Sequence, residues 1–148
     1  MIIHEDLPHQ TMSEETFPSQ RILIIEKERQ NASWLAESLK SKGYDVWVVT
    51  HYEDGLNILD MQEFVGVLLS LDGTTGENTV QALDAVGVIR NRHPSTSLFV
   101  MSEKTHSEMI RESFARGVTG FLTKPILYDH MQEILFPLAK QVVGARNT

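Results

Sequence analysis

The chain has 148 residues, with 20 acidic and 13 basic side chains and a formal net charge of −7 at pH 7. This length predicts one domain, and the acidic balance argues against nucleic acid or anionic lipid as a partner. Because cysteine is absent, disulfides, thiolate metal sites and cysteine catalysis are excluded, and a cytoplasmic location is expected. No apolar run approaches the ~20 residues that span a bilayer, so no membrane partner is expected.

The two ends of the chain differ in composition from its centre. Residues 1–20 contain two prolines and many polar or acidic side chains, which predicts a flexible N-terminal tail. Residues 21–143 are predicted to form the folded domain, and residues 144–148 a short C-terminal tail.

The central region alternates between short β-branched runs and longer amphipathic stretches. In chain order, the pattern predicts strand 22–25, helix 31–42, strand 46–49, helix 53–61, strand 65–69, helix 79–91, strand 97–101, helix 106–116, strand 120–122 and helix 125–141. Five buried strands separated by helices predict an α/β fold with a doubly wound parallel sheet. The functional crevice of such a sheet lies beyond the carboxyl ends of its strands.

Residues that follow four of these strands resemble the receiver domain of bacterial response regulators, a flavodoxin-like (βα)5 fold with strand order 2-1-3-4-5. They are Glu26 and Lys27 after strand one, Ser70 after strand three, Ser102 after strand four, and Lys124-Pro125 after strand five. The most specific match is the phrase GVTGFLTKP at 117–125. The resemblance implies a CheY-like module of two-component signal transduction, and it places Phe121 at an aromatic position that changes rotamer together with the hydroxyl residue.

The departures from that family lie in its reactive pocket. Ser70 stands where the resemblance implies a phosphoaccepting aspartate, and Lys27 where it implies a second acid. One carboxylate at Glu26 and two ammonium groups at Lys27 and Lys124 give the predicted pocket a formal charge of +1, which disfavours a divalent cation. The sequence therefore predicts a pseudo-receiver that is no enzyme, has no catalytic residue, metal or cofactor, and undergoes no aspartyl phosphorylation.

Two alternatives remain open. Asp72 follows Ser70 by two residues and is an alternative phosphoacceptor, although a solvated loop carboxylate is the favoured interpretation. The run DGTTGEN at 72–78 and the segment 141–146 are also similar to the receiver-like N-terminal domain of bacterial ornithine, lysine and arginine decarboxylases. That resemblance implies an assembly domain of an enzyme that uses pyridoxal phosphate in a later domain.

Protein partners are expected on a face formed by helix four, strand five and helix five, which the resemblance implies is a common dimer face. The candidate contact residues are Met109, Ile110, Phe114, Tyr128 and Met131. Either a homodimer or a different protein could use this face. Trp34 and Trp47 lie on apolar faces, which predicts that both belong to the core or cover the sheet.

Overall fold

The computed structural model describes residues 2–4, 20–72, 76–104 and 106–135. In chain order the elements are β1 (Ile2–His4), β2 (Arg21–Ile25), α1 (Arg29–Lys40), β3 (Asp45–Val49), α2 (Tyr52–Met61), β4 (Gly66–Ser70), α3 (Gly76–Arg92), β5 (Ser97–Ser102), α4 (Ser107–Ala115), β6 (Gly120–Thr123) and α5 (Tyr128–His130). A π-helical turn, Met131–Leu135, continues α5.

All described strands belong to one sheet with the order β1-β3-β2-β4-β5-β6. The strands from β2 to β6 are parallel to one another. Counted among themselves in chain order, these five strands run 2-1-3-4-5, so the predicted flavodoxin-like topology is confirmed. A glycine follows α1 and another follows α4, since Gly43 and Gly117 have φ values of 97° and 100°, a conformation that glycine adopts without strain.

The N-terminal strand was not predicted. Residues Ile2–His4 pair antiparallel with β3, with Ile2 opposite Val49 and His4 opposite Trp47, so the flexible-tail prediction is wrong for this segment. The physical reason is that β3 would otherwise leave a row of backbone donors and acceptors unpaired at the sheet edge. The rest of the predicted tail, residues 5–19, lies outside the described residues.

Side chains alternate between the two faces of the sheet because successive strand residues point in opposite directions. On β2, Ile22 and Ile24 belong to a core cluster shared with α1 and Met131. Leu23 and Ile25 belong to a second cluster shared with α2 and α3. Each face is therefore covered by helices, and the polar residues that follow the strands are left at one edge of the sheet.

The structure describes only the first part of the predicted C-terminal helix. The predicted helix 125–141 begins later, at Tyr128, and changes to a π-helical turn at Met131. Residues 136–141 and the predicted tail 144–148 lie outside the described residues. No helix in the described part of the chain is long and apolar enough to cross a membrane.

Candidate functional site

The strand register places the predicted pocket residues side by side. Ile25 pairs with Leu69, Ser70 with Met101, and Ser102 with Thr123. The residues at or just after these strand ends therefore meet at one edge of the sheet, as expected for parallel strands. The structure brings together Glu26, Ser70, Asp72, Ser102 and Lys124.

The ammonium group of Lys124 lies at the centre of this cluster. Its Nζ is 2.6 Å from Glu26 Oε1, 3.1 Å from Asp72 Oδ2, and donates to Ser70 Oγ over 2.8 Å. The side chains of Glu26 and Lys124 are 3% and 9% exposed, so the pair is shielded from solvent. Glu26 Oε2 also accepts a hydrogen bond of 3.1 Å from the Glu28 amide.

Asp72 is part of the cluster, so the prediction of a solvated loop carboxylate is wrong. Its side chain is 23% exposed, and its Oδ1 accepts a 2.8 Å hydrogen bond from the Ser102 hydroxyl. The Glu103 amide donates to Asp72 Oδ2 over 3.0 Å. Because the alternation of the strand continues past Ser70, the side chain of Asp72 lies on the same side as that of Ser70. There it binds the donors at the ends of β5 and β6.

Ser70 is buried and its hydroxyl oxygen is surrounded by donors. Lys124 Nζ and the Asp72 amide, at 3.2 Å, both donate to Ser70 Oγ. A serine hydroxyl needs a neighbouring base to become a nucleophile, and neither of these groups is one. Its surroundings within the described residues therefore provide no activation of Ser70.

Lys27 does not join the cluster, which corrects the predicted charge of the pocket. Its side chain is exposed and lines a neighbouring cleft with Thr50 and Tyr52. The cluster instead contains two carboxylates, Glu26 and Asp72, and one ammonium group. Its formal charge is −1, not the predicted +1.

Tyr52 was missed by the sequence analysis. Its phenol donates a 2.9 Å hydrogen bond to the backbone carbonyl of Ser70. Burial, followed by the negative charges of Glu26 and Asp72, raises the pKa of Tyr52 to about 12. The phenol therefore stays protonated near neutral pH and keeps its bond to the end of β4. Only its position at the start of α2, next to the sheet edge, could have indicated this role.

The cluster does not fit a divalent cation site. The carboxylates of Glu26 and Asp72 both face Lys124 Nζ, which occupies the space between them with a positive charge. Within the described residues, no group of three or more histidine, cysteine, aspartate or glutamate side chains could hold a metal ion. A calcium or magnesium ion prefers several oxygen ligands, which this arrangement does not offer.

The residues proposed for a partner face are placed differently from one another. Phe114 and Tyr128 are exposed, whereas Met109 and Ile110 are partly buried. Met131 is 0% exposed and lies in the core cluster beneath α1, so its predicted place on the face is wrong. The reason is that the turn after α5 directs Met131 toward the sheet. Phe121 is partly buried and packs against the second cluster.

The two tryptophans occupy different environments. Trp47 packs against the second core cluster and meets the ring of Phe64 edge-on at 6.0 Å between centroids, which agrees with its predicted role of covering the sheet. Trp34 is 50% exposed, so the prediction that it belongs to the core or covers the sheet is wrong. Leu35 and Leu39 already fill the inward face of α1.

The sheet is parallel from β2 to β6 and carries a lysine, a serine and acidic residues at its carboxyl edge. This arrangement is typical of the receiver-like α/β signalling domains that the sequence resembles. The family model described as the response regulator receiver domain matches residues 22–136. The chain belongs to this family, as predicted.

Curated relatives are transcriptional regulators that are longer than this chain. The chain is 24% identical over 111 residues to the cell cycle transcriptional regulator CtrA of Caulobacter vibrioides, covering 75% of this chain and 46% of that protein. It is 27% identical over 123 residues to a probable transcriptional regulatory protein of Picosynechococcus, covering 81% and 49% respectively. The chain thus spans about half the length of these relatives.

Solved structures show the same fold. An orphan response regulator of H. pylori is 25% identical, with a TM-score of 0.67 and coverage of 85% of this chain and 96% of that chain. A response regulator of Burkholderia pseudomallei with a phosphorylated aspartic acid is 18% identical, with a TM-score of 0.69 and coverage of 85% and 72%. A beryllofluoride-activated NtrC4 receiver domain dimer is 16% identical, with a TM-score of 0.68 and coverage of 82% and 94%.

Proposed function

We propose that this receiver domain is a cytoplasmic pseudo-receiver, which signals through contact with proteins and without aspartyl phosphorylation. One observation carries the proposal. The carboxylate of Asp72 is already bound by the Lys124 ammonium group, the Ser102 hydroxyl and the Glu103 amide.

These three donors are the kinds of group that bind an anion, and hydrogen bonds between charged partners are the stronger ones. Because Asp72 belongs to the chain, its carboxylate reaches them without the loss of translational freedom that an external anion would incur. The chain's own anion therefore competes with any phosphoryl group for this position. The domain is held in one arrangement, with Ser102 turned toward Asp72.

Chemistry in the pocket is disfavoured for a second reason. Ser70, at the acceptor position, has donors as neighbours and lacks a base among the described residues. Lys124 stands between the two carboxylates where a metal ion would have to bind, and phosphoryl transfer depends on neutralising the charge of the phosphoryl oxygens. We therefore assign no catalytic residue, metal or cofactor.

The contact surface that we propose is the face formed by α4, β6 and α5. Phe114 and Tyr128 are large exposed side chains on the two helices of this face. An exposed apolar patch marks an interaction site, and we expect Phe114 and Tyr128 to belong to one on this face. A second copy of the chain or another protein would bury them. The NtrC4 receiver domain was solved as a dimer, which agrees with association between domains of this fold.

A second candidate function is phosphorylation of Asp72. Its carboxylate lies beside Lys124 and Ser102, the two residues that the receiver resemblance places around the acceptor. Transfer from acetyl phosphate would form an acyl phosphate on an Asp72 oxygen and release acetate. The decarboxylase assembly role stays a prediction, because residues 73–75 and 141–146, which carry much of that resemblance, lie outside the described residues.

Labelling separates the two candidates. The protein is incubated with acetyl phosphate and magnesium, and its intact mass is measured beside that of a receiver domain with an intact acceptor. We expect the control domain to gain one phosphoryl group and this protein to gain none. A phosphoryl group that appears on the wild type and is absent from Asp72→Asn would reject the pseudo-receiver and establish Asp72 as the acceptor.

A further inference from the structure

A cavity of about 700 Å³ opens beside the pocket cluster, between α1 and the segment that joins β6 to α5. Its volume lies in the range of sites that bind small molecules, about 300–1,000 Å³. Its floor is apolar and buried, formed by Leu35, Met101 and Ile126. The covered floor and the open mouth together give the cavity the shape of a ligand site.

Two aromatic side chains and one leucine lie at the mouth of this cavity. Trp34 on α1, Leu127 and Tyr128 are each about half exposed and all line it. They are three of the six large apolar side chains that are exposed among the described residues. An indole and a phenol ring that face one space favour a flat apolar group between them, and their π faces also attract a cation.

The charged groups at the cavity have an acidic balance. Glu26, Glu103 and Lys124 line it, so two carboxylates face one ammonium group. Lys124 is already engaged by Glu26, Asp72 and Ser70. The exposed carboxylate of Glu103 has no ion pair with any residue in the described ranges. Glu103 contacts Asp72 through its backbone amide and not through its side chain. A bound group of positive charge would therefore meet an available carboxylate.

We propose that this cavity binds a small aromatic amine, with its ring between Trp34 and Tyr128 and its ammonium group near Glu103. Charge complementarity selects the cation over an anion of the same shape. The floor of buried side chains accommodates the ring by removing apolar surface from water. The cavity shares Glu26 and Lys124 with the pocket cluster, but the proposed contacts are the side chains of Trp34, Tyr128 and Glu103, and binding involves no phosphoryl transfer.

Tryptamine and indole-3-acetate provide a matched pair of probes, because they share an indole ring and carry opposite charges. Each is titrated into the full chain labelled with ¹⁵N, and the indole N–H signals of Trp34 and Trp47 are followed by NMR. Trp47 packs on the opposite face of the sheet and serves as the internal reference. We expect tryptamine to shift the Trp34 signal saturably, to leave Trp47 unchanged, and to bind about tenfold more tightly than indole-3-acetate.

Two isosteric variants test the charge. Glu103→Gln keeps the backbone amide that binds Asp72, and it should weaken tryptamine binding about fivefold, the effect of one exposed charge pair. Glu63→Gln changes an exposed carboxylate at the opposite edge of the sheet and should leave binding unchanged. Equal affinity for both probes, equal shifts at both tryptophans, or no saturation would overturn the proposal. The titration is repeated with Phe114→Glu, the variant expected to be monomeric, so that association through the α4 face does not contribute. A Trp34 signal of this variant that moves with protein concentration alone would also overturn the proposal, because a second copy would then cover the cavity.

Discussion

At the scale of single residues, the ion pair between Glu26 and Lys124 determines how the pocket contributes to stability. Both side chains are almost fully buried and lie 2.6 Å apart. Removal of the Glu26 charge leaves the buried Lys124 ammonium group with Asp72 as its remaining carboxylate partner, and this loss in a shielded environment costs more than the loss of an exposed pair.

We therefore expect Glu26→Gln to lower the free energy of unfolding by more than about 1 kcal/mol, the upper value for an exposed pair. The exposed carboxylate of Glu63 provides the matched control, and Glu63→Gln should change stability by less than about 0.5 kcal/mol. Urea unfolding of both variants measures the difference. Equal midpoints would show that the pocket is solvated and that Glu26 has no structural role.

The position of Asp72 in the pocket could not be predicted from the sequence, unlike the positions of Ser70, Ser102 and Lys124. The sequence could place Ser70, Ser102 and Lys124 at the carboxyl edge, because their positions follow from strand ends and from the receiver phrase. Whether Asp72 turned toward that edge or toward water depended on donors supplied by β5 and β6, distant in sequence. For the same reason Lys27 was counted in the pocket, although its side chain turns away to a neighbouring cleft.

At the scale of elements, the parallel strands were predictable because each is a short apolar run buried on both faces. Strand β1 was not, because three residues carry almost no periodic signal and their pairing depends on the free edge of β3. On α1, Leu35 and Leu39 lie on the buried inward face, whereas Trp34, which was predicted to belong to the core or cover the sheet, is half exposed.

The face formed by α4, β6 and α5 leads to a prediction about association. Phe114 is exposed on α4, so a negative charge there should disrupt an apolar contact without disturbing the core. We expect the wild type to self-associate in sedimentation across a concentration series, and Phe114→Glu to sediment as a monomer. A wild type that stays monomeric at high concentration would exclude self-association through this face and leave only a different protein as the partner.

At the scale of the whole molecule, we propose that the domain supplies its own anion. Lys124, Ser102 and Glu103 reach Asp72 from two neighbouring strands of the sheet, so the ends of β4, β5 and β6 are tied together. A ligand shifts a conformational equilibrium only through different affinities for the two states. An anion that finds its donors already occupied gains little in either state.

The most direct test is an amide NMR spectrum of the full chain with and without magnesium and beryllofluoride, the agent that activates the NtrC4 receiver domain. We predict no saturable shifts at Ser102, Lys124 or Phe121 and an unchanged α4 face. Saturable shifts at these residues that extend to Phe114 would contradict this prediction, because they would show that an external anion displaces Asp72 and moves the face.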